Sequence, residues 1–195
     1  MPKRPRRPHY LQGHYYHIYN RGTSKMRIFR EADNYTFVLK RIKRYRNEFD
    51  SAVIAYCLLP NHYHFSVRQD GEQPAGLLPQ RVFNSYSKAY NKRYDHSGTL
   101  FEGPYKVIEV AAESHLRHLC RYIHANPVKH GLVHNLEEWP YSNYLEWIDR
   151  RQGTLYDHVF VKEMFGESTE YGEFVRDYLF ERELPVELKE YLGDY

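Results

Sequence analysis

The chain has 195 residues, a formal net charge of +3, 42% hydrophobic and 27% charged residues. That balance belongs to an ordinary globular domain and excludes wholesale disorder. No apolar stretch approaches the ~20 residues needed to span a bilayer, and the Pro- and Arg-rich start lacks the apolar segment of a secretion signal, so the expectation is a cytoplasmic protein with no membrane partner. Cys57 and Cys120 lie in apolar runs and fit neither a disulfide framework nor a zinc finger; they read as buried, reduced thiols.

Residues 1–12 combine prolines with Lys3, Arg4, Arg6 and Arg7 and read as an extended basic arm. The aromatic run 14–20 predicts a first strand, closed by Arg21-Gly22. Between 31 and 46, Tyr35, Val38, Leu39 and Ile42 recur at helical spacing, which leaves Lys40, Lys43 and Arg44 on an exposed basic side. The nearly continuous apolar run 49–59 predicts a central strand buried on both faces. Pro60-Asn61 supplies a turn, and the next run is its natural antiparallel partner. Side chains alternate across a strand, so His62 and His64 project together while Tyr63, Phe65 and Val67 point the other way.

Leu78, Val82, Tyr86 and Ala89 predict a second helix, and 100–110 a fourth strand interrupted at Gly103-Pro104. Ser114 is a candidate cap for a third helix whose buried stripe is Leu116, Leu119, Cys120 and Ile123. Pro127 marks its expected end, because the residue before a proline disfavours helical geometry. Beyond Trp139 the segments are short and acidic and read as peripheral helices. The order β-α-β-β-α-β-α predicts an α+β fold of ferredoxin-like type. Its parts are a split βαβ unit with a four-stranded antiparallel sheet, an added helix, and an acidic helical C-terminal extension over 146–195. Residues 13–145 form the central domain.

Two neighbouring imidazoles suit one metal ion but cannot complete its coordination sphere. Asn126, one helical turn after Tyr122, is the favoured third ligand, and His115 and His118 compete for that role. Tyr122 and Asn126 share a helix face. A phenol, with its pKa near 10, is a poor nucleophile at neutral pH; a metal on a scissile phosphate and nearby cations change that. Arg21, Lys106, Arg121 and Lys129 are the basic residues nearest these motifs. The 20 tyrosines suit stacking on bases, and equally suit an aromatic core.

Four ordered motifs resemble a known family: Ala55-Tyr-Cys-Leu-Leu-Pro-Asn-His-Tyr-His64, Gly98-Thr-Leu-Phe-Glu102, Arg121-Tyr-Ile-His-Ala-Asn-Pro-Val-Lys-His-Gly-Leu-Val133 and Trp139-Pro-Tyr-Ser-Asn-Tyr144. They are similar to the single-tyrosine HUH transposases, and within them to the REP-associated tyrosine transposases; Tyr16-His-Ile-Tyr-Asn-Arg-Gly22 matches the opening strand. The resemblance covers roughly residues 10–145. It implies that His62 and His64 ligate a divalent ion, magnesium or manganese, with Asn126 in the further-ligand position, and that Tyr122 is the nucleophile. It also implies cleavage of single-stranded DNA beside a folded hairpin, by a monomer or a homodimer. Tyr63 is bulkier than the usual residue between the histidines, and Pro104 and Lys129-His130 depart from the family's arginines. The alternatives are a non-catalytic DNA- or RNA-hairpin-binding protein on the same fold, and a metal-dependent hydrolase that uses water.

Overall fold

The computed structural model describes residues 9–155 and 157–180. Arg4, Arg6 and Arg7, with most of the basic arm, and the last residues of the acidic extension lie outside them. Four strands, β1 (Tyr15–Arg21), β2 (Ser51–Leu59), β3 (His62–Gln69) and β4 (Lys106–Val110), form one sheet in the order β2-β3-β1-β4, every neighbouring pair antiparallel. Helix α1 (Ala32–Glu48) connects β1 to β2, and α2 (Leu77–Tyr94) connects β3 to β4. This is the ferredoxin-like split βαβ arrangement that the order of elements predicts.

The alternation along each strand sorts side chains into two cores. Tyr16, Ile18, Tyr63, Phe65 and Val67 meet α1 and α2 through Val38, Ile42, Val82 and Tyr86. On the opposite face, Cys57 and Leu59 meet α3 (Glu113–Lys129) through Leu116, Leu119, Cys120 and Ile123. Both cysteines are free and buried. Tyr63 points away from the histidine face and stacks on Phe83, ring centroids 3.8 Å apart.

Four sequence expectations change here. The run 49–59 is buried on both faces but β2 is an edge strand, because a later segment covers its outer side. There Leu58 N donates to Tyr141 O at 2.9 Å, while Asn143 accepts from Tyr56 N at 2.7 Å and donates to Ile54 O at 2.8 Å; pairing an exposed edge in this way satisfies its backbone groups. The fourth strand is only Lys106–Val110, since Gly103 at φ +88° bends the preceding residues into a loop. Helix α3 runs through Pro127 to Lys129. It ends instead at Gly131 (φ +65°), whose N–H bonds Val128 O while Leu132 N bonds Pro127 O, both at 2.9 Å, the two-bond C-terminal closure that left-handed glycine permits. Ser114 is not its cap, since the helix starts at Glu113 after Ala112.

The C-terminal helices α4 (Tyr144–Trp147), α5 (His158–Phe165) and α6 (Ser168–Phe180) are not peripheral. Trp147, Phe165, Tyr171, Val175 and Tyr178 complete the second core. Buried His124 on α3 ties them in, with Nδ1 2.6 Å from Tyr171 Oη and Nε2 2.8 Å from Asn143 Oδ1. No described helix is long and apolar enough to cross a membrane.

Candidate active site

Strand β3 carries His62 and His64 on the face that α3 covers. His62 pairs with Arg21 and His64 with Tyr19 on the central strand β1, so both imidazoles are held by backbone ladders on a rigid element. Their rings lie edge to face, centroids 5.2 Å apart, and both are buried. Burial disfavours the charged imidazolium; it lowers the His62 pKa to about 3 and pushes His64 well below its usual value, with neighbouring His130 and His17 adding to the respective shifts. Each ring is therefore neutral at physiological pH and keeps a lone pair.

Hydrogen bonds define which nitrogen carries that lone pair. His62 Nδ1 lies 2.7 Å from Asn61 Oδ1; a carboxamide oxygen only accepts, so Nδ1 is protonated and Nε2 is the donor atom for a ligand. His64 Nδ1 lies 3.0 Å from Nε2 of His17 on β1, a diagonal cross-strand neighbour. If His64 Nε2 is to act as a ligand, its Nδ1–H donates to His17, the outer-shell bond that usually orients a metal-binding imidazole.

Helix α3 brings Tyr122 and Asn126 over this pair. The Tyr122 ring stands edge-on to His64 at 5.3 Å and to His17 at 6.4 Å between centroids. Asn126 Nδ2 donates to the Tyr122 carbonyl at 2.7 Å, which fixes the amide plane, and its side chain lies near enough to His62 and Tyr122 to influence the titration of both. Burial pushes the Tyr122 pKa above 10; nearby Tyr178 of α6 adds to the rise and the Asn126 hydrogen bond opposes it. His118 packs toward Phe174 of α6, 6.0 Å between centroids.

Among the described residues, no group of three or more His, Cys, Asp and Glu side chains is placed to hold a metal ion. A divalent ion here would rest on the two imidazole nitrogens and the Asn126 amide oxygen. The residues fit that role: the set is neutral and mixed in nitrogen and oxygen, His62 Nε2 and His64 Nε2 are buried with no hydrogen-bond partner among the described residues, and three protein ligands leave further positions of a metal for other oxygens, unlike a closed four-ligand structural site.

The basic residues divide. Lys106 reaches over the Tyr19 ring at 5.6 Å and Lys129 over Tyr178 at 3.5 Å. Both flank the site. Arg21 is ion-paired with Glu102 at the end of β1. Lys40, Lys43 and Arg44 are exposed on α1, on the opposite side of the sheet, where Lys40, Lys43 and Arg151 border a groove of about 500 Å³. Arg121 differs from the other basic residues nearest the motifs. It is buried, its guanidinium between Phe174 and Tyr178 at 4.6 and 4.8 Å from their centroids, because α3 turns that face toward α6.

The sequence from 10 to 126 matches the family described as transposase IS200 like. The chain belongs to the IS200-like transposase family. It is also 29% identical over 122 residues to a Haemophilus influenzae protein named as a REP-associated tyrosine transposase, the match spanning 51% of this chain and 69% of that one. The fold is similar to that of a REP-associated tyrosine transposase solved bound to a REP hairpin, with a TM-score of 0.64 and 18% identity over 79% of this chain and 94% of the other. Family membership makes this a DNA-acting transposase, an enzyme class that cuts and rejoins DNA strands. In this IS200-like chain, sequence reasoning missed His17, Asn61 and the α6 aromatics. His17 had a readable signal, a polar residue on the same strand face as Tyr19. The α6 aromatics had none, since nothing local says which helix a distant segment will cover.

Proposed function

We propose that this IS200-like transposase cleaves and rejoins single-stranded DNA beside hairpin-forming repeats, with Tyr122 as nucleophile and His62, His64 and Asn126 as the ligands of a magnesium or manganese ion. The observation that carries the reading is that α3 sets Tyr122 edge-on to His64, while Asn126, one turn on, is fixed by its bond to the Tyr122 carbonyl. The named hairpin complex of a protein of the same fold supports the substrate class.

A bound divalent ion supplies Lewis acidity to a scissile phosphate and charge that offsets the pentacoordinate transition state. The chain's own residues do the rest. Burial keeps the phenol protonated in the resting protein, so its proton passes to solvent as the phosphate arrives. The Tyr122 oxygen then bonds to phosphorus as the phosphorus bond to the leaving sugar oxygen breaks. The products are a phosphotyrosine and a sugar hydroxyl, and attack by a hydroxyl on the phosphotyrosine reverses the step without a nucleotide cofactor. Lys106 and Lys129 offset phosphate charge near the cut, and Lys40, Lys43 and Arg44 hold more distant backbone.

The test is denaturing electrophoresis of end-labelled single-stranded hairpin DNA mixed with the protein, with and without manganese. A denaturation-resistant adduct that needs metal and disappears in Tyr122→Phe is expected. Cleavage retained by Tyr122→Phe overturns the nucleophile and points to a water-using hydrolase; binding without adduct across varied hairpins points to a non-catalytic binder.

A further inference from the structure

Residues 100–102, ahead of the Gly103-Pro104 interruption, pair with the end of β1 that lies beside the histidines. Gly22 bridges Phe101, Glu102 N donates to Arg21 O at 3.0 Å, and Thr23 N donates to Leu100 O at 3.1 Å. This register sets Glu102 opposite Arg21 on one side, as β3 sets His62 opposite Arg21 on the other. Directly opposed residues present their side chains to the same face. Glu102, Arg21 and His62 therefore form one cross-strand row on the histidine face, and Lys106, Tyr19 and His64 form the next.

The row ends in an ion pair of defined shape. Arg21 Nε donates to Glu102 Oε2, and Arg21 Nη2 donates to Glu102 Oε1 at 3.2 Å. Glu102 thus takes the side fork of the guanidinium. The end fork, Nη1 with the second hydrogen of Nη2, has the planar geometry that binds phosphate bidentately. Arg21, then Lys106 and Lys25, hold the Glu102 carboxyl below the usual carboxylate range, so the partner stays ionised. Stability does not account for the pair. Arg21 is half-buried and Glu102 exposed, where an ion pair contributes little. The loop has other anchors besides its backbone bonds, from Thr23 Oγ1 to Thr99 O at 3.1 Å and from Asn20 Nδ2 to Gly103 O at 3.0 Å. What the pair does fix is the direction of a long side chain next to His62.

We infer that Arg21 contacts a non-bridging oxygen of the scissile phosphate, and that Glu102 is the positioning residue that holds the guanidinium for that contact. The inference rests on the function proposed above. A phosphate at the His62–His64 pair lies beside this row, within reach of a side chain anchored ~5 Å from His62 across the ladder. Attack by Tyr122 on phosphorus places negative charge on the non-bridging oxygens, and a donor already oriented stabilises it without reorganising at the moment of reaction. Without Glu102 the guanidinium keeps its charge and loses its direction.

The experiment times adduct formation in single turnovers with saturating single-stranded hairpin DNA and manganese. Wild type is compared with Glu102→Gln, Arg21→Lys, Arg21→Ala and the double variant Arg21→Ala/Glu102→Gln, and DNA affinity is measured separately by fluorescence anisotropy in chelator. Arg21→Ala is expected to react about 100-fold or more slowly, and Arg21→Lys nearly as slowly, since it keeps the charge without the fork. Glu102→Gln should slow the step about 10-fold or more yet bind DNA at least as tightly, because it removes a negative charge. In the Arg21→Ala background the Glu102→Gln change should have no further effect, the non-additivity expected of residues acting through one another. Glu102→Gln at the wild-type rate overturns the positioning role, as does a slowing of equal size in the Arg21→Ala background. Arg21→Ala or Arg21→Lys at the wild-type rate overturns the phosphate contact. Loss of far-UV circular dichroism in Glu102→Gln makes the pair structural and also overturns the inference. Wild-type protein that forms no adduct overturns the underlying function instead.

Discussion

Buried His124 makes the stability of this protein fall with acidification in a way that one substitution removes. Asn143 Oδ1 accepts from His124 Nε2 and also from Tyr56 N, so the imidazole is the neutral Nε2–H tautomer and its Nδ1 accepts from Tyr171 Oη. Burial holds its pKa at about 4, against 6.5 when exposed, with the Asn143 hydrogen bond acting weakly the other way. The unfolded chain therefore takes up the proton first. The stabilising contribution is complete above pH ~6.5 and is lost as the pH falls toward 4; a gap of about 2.5 pKa units at ~1.4 kcal/mol each gives about 3 kcal/mol. His62 and His64 shift in the same direction, so the comparison must be between wild type and His124→Gln. Urea denaturation in chelator, stepped from pH 8 to pH 4.5, should show the variant less stable at pH 8. The gap should narrow by an amount approaching about 3 kcal/mol at the acid end. A gap that stays constant over that range refutes the neutral tautomer and its energetic role.

Replacing His17 by Phe should weaken manganese binding, followed by calorimetry, by roughly 10- to 100-fold. His17→Gln, whose amide oxygen still accepts the His64 Nδ1–H, should retain most of the affinity; equal binding by His17→Phe and wild type would remove the orienting role. A double substitution of Lys40 and Lys43 by Ala should lower the slope of log affinity against log salt by about 1.5 for single-stranded DNA, and an unchanged slope would place the α1 basic side off the DNA path.

Local sequence determined the elements and the faces. Alternation from His62 to Val67 fixed which side chains share a side of β3, and the 3.6-residue period put Tyr122 and Asn126 on one face of α3. These are short-range consequences of backbone geometry, so a chain read alone reveals them. Its local signals erred where distant partners intervened: Pro127 did not end α3, because Gly131 and Leu132 closed the helix further on, and the apolar run of β2 lies at an edge that residues 141–143 cover. Only tertiary structure decided that His17 stands behind His64, that His118 packs toward Phe174 rather than the histidine pair, and that α6 buries Arg121 and crowds Tyr122. Each of those contacts joins residues far apart in the chain, where packing of the whole core, and no local preference, sets the neighbour.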